Sequence, residues 1–445
     1  MAEAARRPLP AWDRGGIALL AVALGLRVGA AGLVTWYAAR AGKLCVFGDT
    51  TIYVELAKSI VEGTTYQVSQ WGVPHYDLRT PGYPVFLAGC RAVFGPSLFA
   101  VRLVQAVLGV VAVWGVARLT RSVGGRSDRP GRLAPAGVAL GLAAVEPYVV
   151  AMSALVLSEA VFLPLMVVGL WGLAVLWRLR DEEESSNSTL VAGLTGLAMG
   201  GAILDRPSWA LFVPLILVVW VVGTDRSHRP TAIRGAVIVA LGTALLMAPW
   251  WVRNARVVGR FVPTALWVGA SLYDGISPGA DGSSAMEFIN APDVRALGEV
   301  EQDAVLRRRS AAFARANPGR VAELALIKLG RFWSPWPNAD TLRNPWVAVA
   351  SALVTVPVFA LIGVGVWDRR RDLRTLALLG GPLVYFCGLH LVFVSSIRYR
   401  IPGLVPALGL AGFGWVRLES WVRGWNQRDP APGPGTGFGS EATGP

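Results

Sequence analysis

The sequence predicts an all-α polytopic membrane protein, and three observations carry that prediction. Of 445 residues, 53% are hydrophobic and 16% charged, whereas a soluble chain carries about 25% charged residues. Ten segments are apolar over lengths that cross, or nearly cross, a hydrocarbon core of roughly 30 Å. Arginines gather on alternate connections between those segments.

Arg6, Arg7 and Arg14 precede an apolar run from Gly15 to Ala39. That run is too long for the apolar region of a cleaved signal, so it reads as the first span. Spans are expected at about 15–38, 97–117, 133–149, 153–177, 189–204, 208–223, 235–252, 346–367, 375–394 and 401–416. Arg118, Arg121, Arg126, Arg129 and Arg132 follow span two, and Arg178 and Arg180 follow span four. Arg226, Arg229 and Arg234 follow span six, and Arg369, Arg370, Arg371 and Arg374 follow span eight. All lie on one side, which the positive-inside rule makes cytoplasmic. Both termini share it: residues 1–14, and a low-complexity tail, 417–445, expected to be largely disordered. The loop DEEESSNST (181–189) is read as cytoplasmic, which places its Asn187-Ser188-Thr189 sequon on the wrong side for glycosylation.

Two long segments, 39–96 and 253–345, then lie outside, joined to a transmembrane domain of residues 15–416. Helices are expected at 50–62, 81–94, 300–316 and 318–332, with Pro81 near a first turn and Asn317-Pro318 at a break. Trp71, Tyr76, Tyr83, Phe86 and the stretch RFWSPWPNADTLRNPW suit the membrane interface.

The net charge of +13 is almost all arginine. Lysine occurs only at 43, 58 and 328, a usage that points to a GC-rich bacterial genome. Arginines flanking spans account for the high charge, so no nucleic-acid partner is expected. The three cysteines, Cys45, Cys90 and Cys387, have no metal or disulfide spacing. The chain has no P-loop, no HExxH, no GxSxG and no GxGxxG after a strand, which removes the soluble nucleotide-binding folds.

Ionisable residues near hydrocarbon are costly and therefore candidates for function. Asp49, Lys58, Arg79, Arg102, Glu159, Asp205, Arg206, Arg253, Arg398 and Arg400 gather at the outer ends of spans. Asp49 reads as a helix cap or as a base at the bilayer surface. Glu159, inside the apolar stretch of span four, reads as a buried, arginine-paired group or as a second acid facing Asp49. Arg206 reads as a turn residue paired with Asp205 or as a phosphate ligand. Arg79, Arg398 and Arg400 carry the same two readings, and the last two break the positive-inside pattern. Lys58 either reaches the site or snorkels.

Several stretches in order resemble the polytopic glycosyltransferases of the protein O-mannosyltransferase and aminoarabinose transferase type, family 39 of the GT-C fold. They are GDTTIYVELAKSI, RTPGYPVFLAG, LFAVRLVQAVLG, EPYVVAMSALVLSE, DRPSWALFVPL, APWWVRNARVVGRFVPT and RYRIPGLVPAL, spread over residues 15–415. The resemblance implies transfer of a sugar from a polyprenyl-phosphate carrier to an acceptor on the outer face, with inversion. Asp49 would be the general base. Glu159 stands where many members carry Asp. Arg79 and Arg206, then Arg400, would neutralise the leaving phosphate, with Tyr53, Lys58, Tyr83, Arg102 and Arg398 completing the substrate site. The lipid-linked sugar is a co-substrate, so no cofactor is expected. Thr50 replaces the second acid of eukaryotic members and the first outer segment has no DxD pair, so a metal-independent reaction is expected. The enzyme would lie in the cell membrane among its lipids, with the acceptor open to protein, lipid or glycan. The alternative is a transporter or flippase of an envelope substrate. It is disfavoured because no internal repeat is visible and the polar residues gather at one face, not the midplane. A non-catalytic relative of the same fold is a third reading.

Overall fold

The computed structural model describes residues 14–42, 48–124, 134–179, 186–338 and 344–426. The expectations at Cys45, Arg126, Arg129, Arg132 and Arg180, along with most of the N-terminus and the tail from 427, lie outside the described residues.

The chain opens with helix α1 (Arg14–Arg40), whose large side chains Ile17, Leu33 and Trp36 are exposed, as suits a lipid-facing helix. The first long segment holds α2 (Gly48–Val61), a hairpin of β1 (Val68–Gln70) and β2 (Val73–His75), and α3 (Gly82–Phe94). Helices α4 (Leu98–Gly124), α5 (Pro135–Val145), α6 (Pro147–Ala154), α7 (Glu159–Arg178), α8 (Ser186–Asp205), α9 (Phe212–Val222) and α10 (Arg229–Val258) follow. The second long segment contains α11 (Val268–Gly275), α12 (Pro292–Arg295), α13 (Glu299–Ala316) and α14 (Pro318–Phe332). The chain closes with α15 (Pro345–Asp368), α16 (Leu373–Thr375), a π-helical turn at Leu376–Gly380, α17 (Gly381–Val392) and α18 (Ile397–Asn426).

Among the described residues, eight helices are long and apolar enough to cross a membrane, and nine if α5 and α6 form one broken span. The expected span at 208–223 is a short apolar helix, Pro207–Val222. Connectivity nevertheless makes it run between the two ends. Arg206 lies beside Glu159 at one end, and Gly223 abuts Trp177 and Leu373 at the other.

The third and fourth spans differ from the expected boundaries. A 54° bend separates α5 from α6. Pro147 has no N–H to give Ala143, the carbonyl four residues before it, so the helix breaks there. The Arg27 guanidinium, fully buried in α1, donates instead to Ala143 O and Ala144 O at 3.1 Å each. The Glu146 side chain caps α6 by accepting from Val149 N at 2.7 Å. Helix α6 ends at Ala154, and Glu159 starts α7 after a four-residue link; it does not lie inside a continuous span. Two further differences concern connections. Asn187-Ser188-Thr189 begins α8 and is not loop, and α18 continues to Asn426, well beyond the expected end at 416. The Glu419–Arg423 pair, four residues apart, supports that extra length.

The core runs along α18, whose residues 401–414 are buried throughout, packed against α4, α7, α15 and α17. Small residues let backbones approach where no hydrophobic force acts between helices in lipid. At Gly414 an added Cβ would meet Leu361 O of α15 at 2.0 Å, and at Gly365 it would meet Leu410 O of α18 at 1.9 Å. No larger residue fits that crossing.

The two long segments pack on each other. Glu299, starting α13, accepts from Tyr76 N at 2.8 Å and Asp77 N at 2.9 Å. Arg253, near the end of α10, donates to Tyr66 O at 2.9 Å and Tyr76 O at 2.8 Å. The hairpin turn places Trp71 at φ 52° and Gly72 at φ 81°, the left-handed pair that a two-residue hairpin favours.

Candidate active site

Asp49 lies in the first turn of α2, where the helix dipole favours a negative charge. Its two oxygens are divided between two arginines. Oδ1 accepts from Arg79 Nη2 at 3.1 Å, and Oδ2 from Arg398 Nη1 at 3.1 Å. Arg398, in the first turn of α18, also grips Glu159. Its Nε donates to Oε1 at 2.6 Å and its Nη2 to Oε2 at 3.2 Å. Arg206, in the turn between α8 and α9, brings Nη1 to the same Oε1 at 2.8 Å. The result is a continuous chain of charges, Arg79–Asp49–Arg398–Glu159–Arg206, drawn from separate parts of the sequence.

Three cations face two anions, so the cluster carries an excess positive charge suited to an anion. Its two carboxylates differ in access. The Glu159 side chain is wholly buried, while about a third of the Asp49 side-chain surface is open. The cluster therefore has a sealed floor at Glu159 and a mouth at Asp49. Burial pushes the Asp49 carboxyl up, and the Arg79 and Arg398 guanidiniums outweigh it, leaving its pKa below the ordinary carboxylate value. Burial alone would lower the Arg79 pKa, but Asp49 holds it above the usual guanidinium value.

Neighbouring contacts fix the positions. Thr50 Oγ1 donates to Val156 O at 2.9 Å, tying α2 to the link before α7. Tyr53, one turn after Asp49, packs edge-on against Tyr83 at 4.9 Å. Trp267 stacks on Trp71 at 5.1 Å and lies 5.4 Å from the Arg79 guanidinium. The Tyr399 ring lies 5.8 Å from the Arg206 guanidinium and 5.9 Å from that of Arg398.

Of the residues singled out in the sequence, the structure brings Asp49, Arg79, Glu159, Arg206 and Arg398 together, with Tyr53 alongside. It places four elsewhere. Lys58 is exposed and lies 3.8 Å from Glu62, one helical turn away. Tyr83 is buried and donates to Gln105 Oε1 at 2.7 Å. Arg102 holds Ala154 O and Thr35 Oγ1, each at 3.1 Å. Arg400 is buried with Nη1 on Phe332 O and Ser334 O, each at 2.7 Å. Tyr83, Arg102 and Arg400 tie helices to each other, and none of the four lines the mouth. Glu159 also departs from its reading as a second acid facing Asp49, since both its oxygens are taken by arginines. Arg206 pairs with Glu159, whereas the oxygens of its neighbour Asp205 are buried without a hydrogen-bond partner among the described residues. Among the described residues no three His, Cys, Asp or Glu side chains form a metal site.

Sequence reasoning missed Trp267 and Tyr399. Tyr399 had a visible signal in its place between two arginines that break the charge pattern, while Trp267 sits in a segment without periodicity.

A multi-pass bundle of apolar helices, with a charged cluster beneath two long segments at one end, defines a membrane protein of the GT-C fold. Residues 78–252 match the family model described as dolichyl-phosphate-mannose-protein mannosyltransferase. That stretch contains Arg79, Glu159 and Arg206. The archaeal oligosaccharyltransferase AglB from Archaeoglobus fulgidus, solved with an inhibitory peptide and a dolichol-phosphate, has a similar structure. The TM-score is 0.56 at 13% identity, over 95% of this chain and 52% of that one. The apo form of the Archaeoglobus fulgidus oligosaccharyltransferase gives 0.57 at 14% identity, over 92% and 52%. This chain thus spans about half the length of those neighbours. ArnT from Cupriavidus metallidurans, bound to undecaprenyl phosphate, aligns over 92% of this chain and 79% of its own at 14% identity, with a TM-score of 0.44. No curated protein matches the chain in sequence.

Proposed function

We propose that the chain is an inverting membrane glycosyltransferase that moves a sugar from a polyprenyl-phosphate donor to an acceptor at the outer face. The observation that carries this reading is the partly open Asp49 carboxylate set against Arg79, Arg398 and Arg206. The family match over 78–252 and the GT-C fold support it. So does the dolichol-phosphate named with one neighbour.

In the reaction, Asp49 takes the proton of the acceptor group as its heteroatom attacks the anomeric carbon. The bond from that carbon to the phosphate oxygen breaks, and its electron pair leaves with the phosphate. Attack from the face opposite the leaving group inverts the centre. The phosphate needs no proton to leave, and arginines neutralise the charge it develops. Those cations would supply the charge that a metal supplies in metal-dependent transferases. Glu159, sealed from solvent, holds Arg206 and Arg398 in place and does not touch the acceptor. The outer-face orientation is supported by Arg118, Arg178 and Arg374, which belong to the far ends of the helices.

The test is complementation of a deletion strain with wild type or Asp49→Asn, followed by mass spectrometry of envelope glycoconjugates. The species that wild type restores should stay missing with Asp49→Asn; its full return would overturn Asp49 as the base.

A further inference from the structure

In the structure described above, the proposed base is not free. Each Asp49 oxygen accepts from one guanidinium arm, and each arginine is also held through a further nitrogen by another partner. Arg398 keeps Nε and Nη2 on Glu159 at 2.6 and 3.2 Å and extends Nη1 to Asp49. Arg79 places Nη1 on Leu78 O at 3.1 Å and extends Nη2 to Asp49. Both guanidiniums are therefore fixed from behind with one arm at the open mouth. A carboxylate held by two such arms is a poor proton acceptor, because accepting the proton forfeits both ion pairs.

We infer that Asp49 and the donor phosphate compete for the same two arms, so that seating the donor is what frees the base. This inference rests on the proposed transfer reaction and adds its order: lipid-linked donor first, acceptor second. The phosphate of the donor, a diester with one negative charge, presents oxygens to Arg79 Nη2 and Arg398 Nη1 while Glu159 keeps Arg398 in position. Asp49 then faces the acceptor without its ion pairs and beside a second anion, which raises its affinity for a proton. Without donor the base is suppressed, so an acceptor or water at the mouth is not deprotonated to no purpose. After transfer the lipid phosphate leaves, the arms return to Asp49, and the proton it took is released. Beyond the two arms, the charged or titratable groups facing Asp49 are Glu159 and Arg206, reached through Arg398, and the Tyr53 and Tyr399 phenols, while Asp205 is the chain neighbour of Arg206. Glu159 and Arg206 stay paired to each other throughout.

Competition makes two measurable statements. Removing the competitor strengthens phosphate binding, and by linkage phosphate binding raises the Asp49 pKa by the same factor. The probe is methyl decaprenyl phosphate, a diester that does not itself titrate near neutral pH, bound to the full chain in nanodiscs. By calorimetry, Asp49→Asn should bind it about tenfold more tightly than wild type, as expected for release of two partly open ion pairs. Wild type should also take up a proton on binding near pH 4, seen as a dependence on buffer ionisation enthalpy, and Asp49→Asn should not. The proton measurement needs no variant to fold. Binding of equal or lower affinity in Asp49→Asn, with no proton uptake by wild type, overturns the competition and leaves the transfer reading standing. Failure of wild type to bind the probe at all overturns both.

Discussion

Replacing Glu159 by glutamine removes the single charge that holds two guanidiniums in the floor of the cluster. The side chain is fully buried, with Arg206 at 2.8 Å and Arg398 at 2.6 Å on one oxygen, while its other oxygen meets Arg398 at 3.2 Å. An amide at this place faces cations with its own N–H groups, so the loss exceeds that of a hydrogen bond. Removing one partner of a buried ion pair costs about 3–5 kcal/mol. The arginine side chains remain 11% and 20% exposed, and Arg398 keeps Asp49. The cost should therefore lie at the low end, about 3 kcal/mol, a factor of roughly 150 in the folding equilibrium. The assay is reversible unfolding in mixed micelles of Glu159→Gln, Arg206→Gln and the double variant. The double variant should be more stable than the sum of the singles predicts, because the second change removes a stranded cation. Glu159→Gln at wild-type stability, with transfer abolished, would refute the reasoning and make Glu159 a group that touches substrate.

Trp267→Leu should raise the KM for the lipid donor a few-fold with folding intact, since a cation–π contact with Arg79 is worth about 0.5–1 kcal/mol; steady-state kinetics check this. Asp77 is buried between Arg253 and Glu299, and burial pushes its pKa up to about 7. The folded state then holds a proton that the unfolded state has lost, so stability should fall as pH rises from about 4 to 7. Thermal unfolding across that range should show the slope in wild type and a flatter profile in Asp77→Asn. Lys328→Met strands the carbonyls of Gly275, Leu391 and Val392, which Nζ meets at 2.7, 3.2 and 2.7 Å. It should cost about 1–3 kcal/mol in the same unfolding assay. Lys58→Ala should change stability by under about 0.5 kcal/mol and leave transfer unchanged, since its exposed pair with Glu62 contributes little.

Much of the fold was legible because lipid imposes a simple code. Apolar length located the eight described helices that are long enough to cross a membrane, while two of the ten expected spans are a bent pair and a short helix. Proline positions located the helices α3 and α14 to within a residue at their starts. The hairpin at 68–75 escaped notice because its strands are three residues each and its turn is Trp-Gly, not a common hairpin dipeptide.

The sequence by itself determined that acids and arginines would gather at one end of the bundle, because charges near hydrocarbon survive only where they have partners or a role. Only the tertiary structure decided which of them meet. Arg398 and Arg400 look alike in SIRYRIPG, yet two helical residues lie about 200° apart around the axis, so one faces Asp49 and the other the Phe332 carbonyl. The rotation of α18 chose between them, and that rotation is set by glycine-lined contact with α15. Glu159 became the sealed floor of the site for a related reason. The link after α6, which ends at Ala154, starts α7 at that residue, and the fold places its carboxylate between two guanidiniums far apart in sequence.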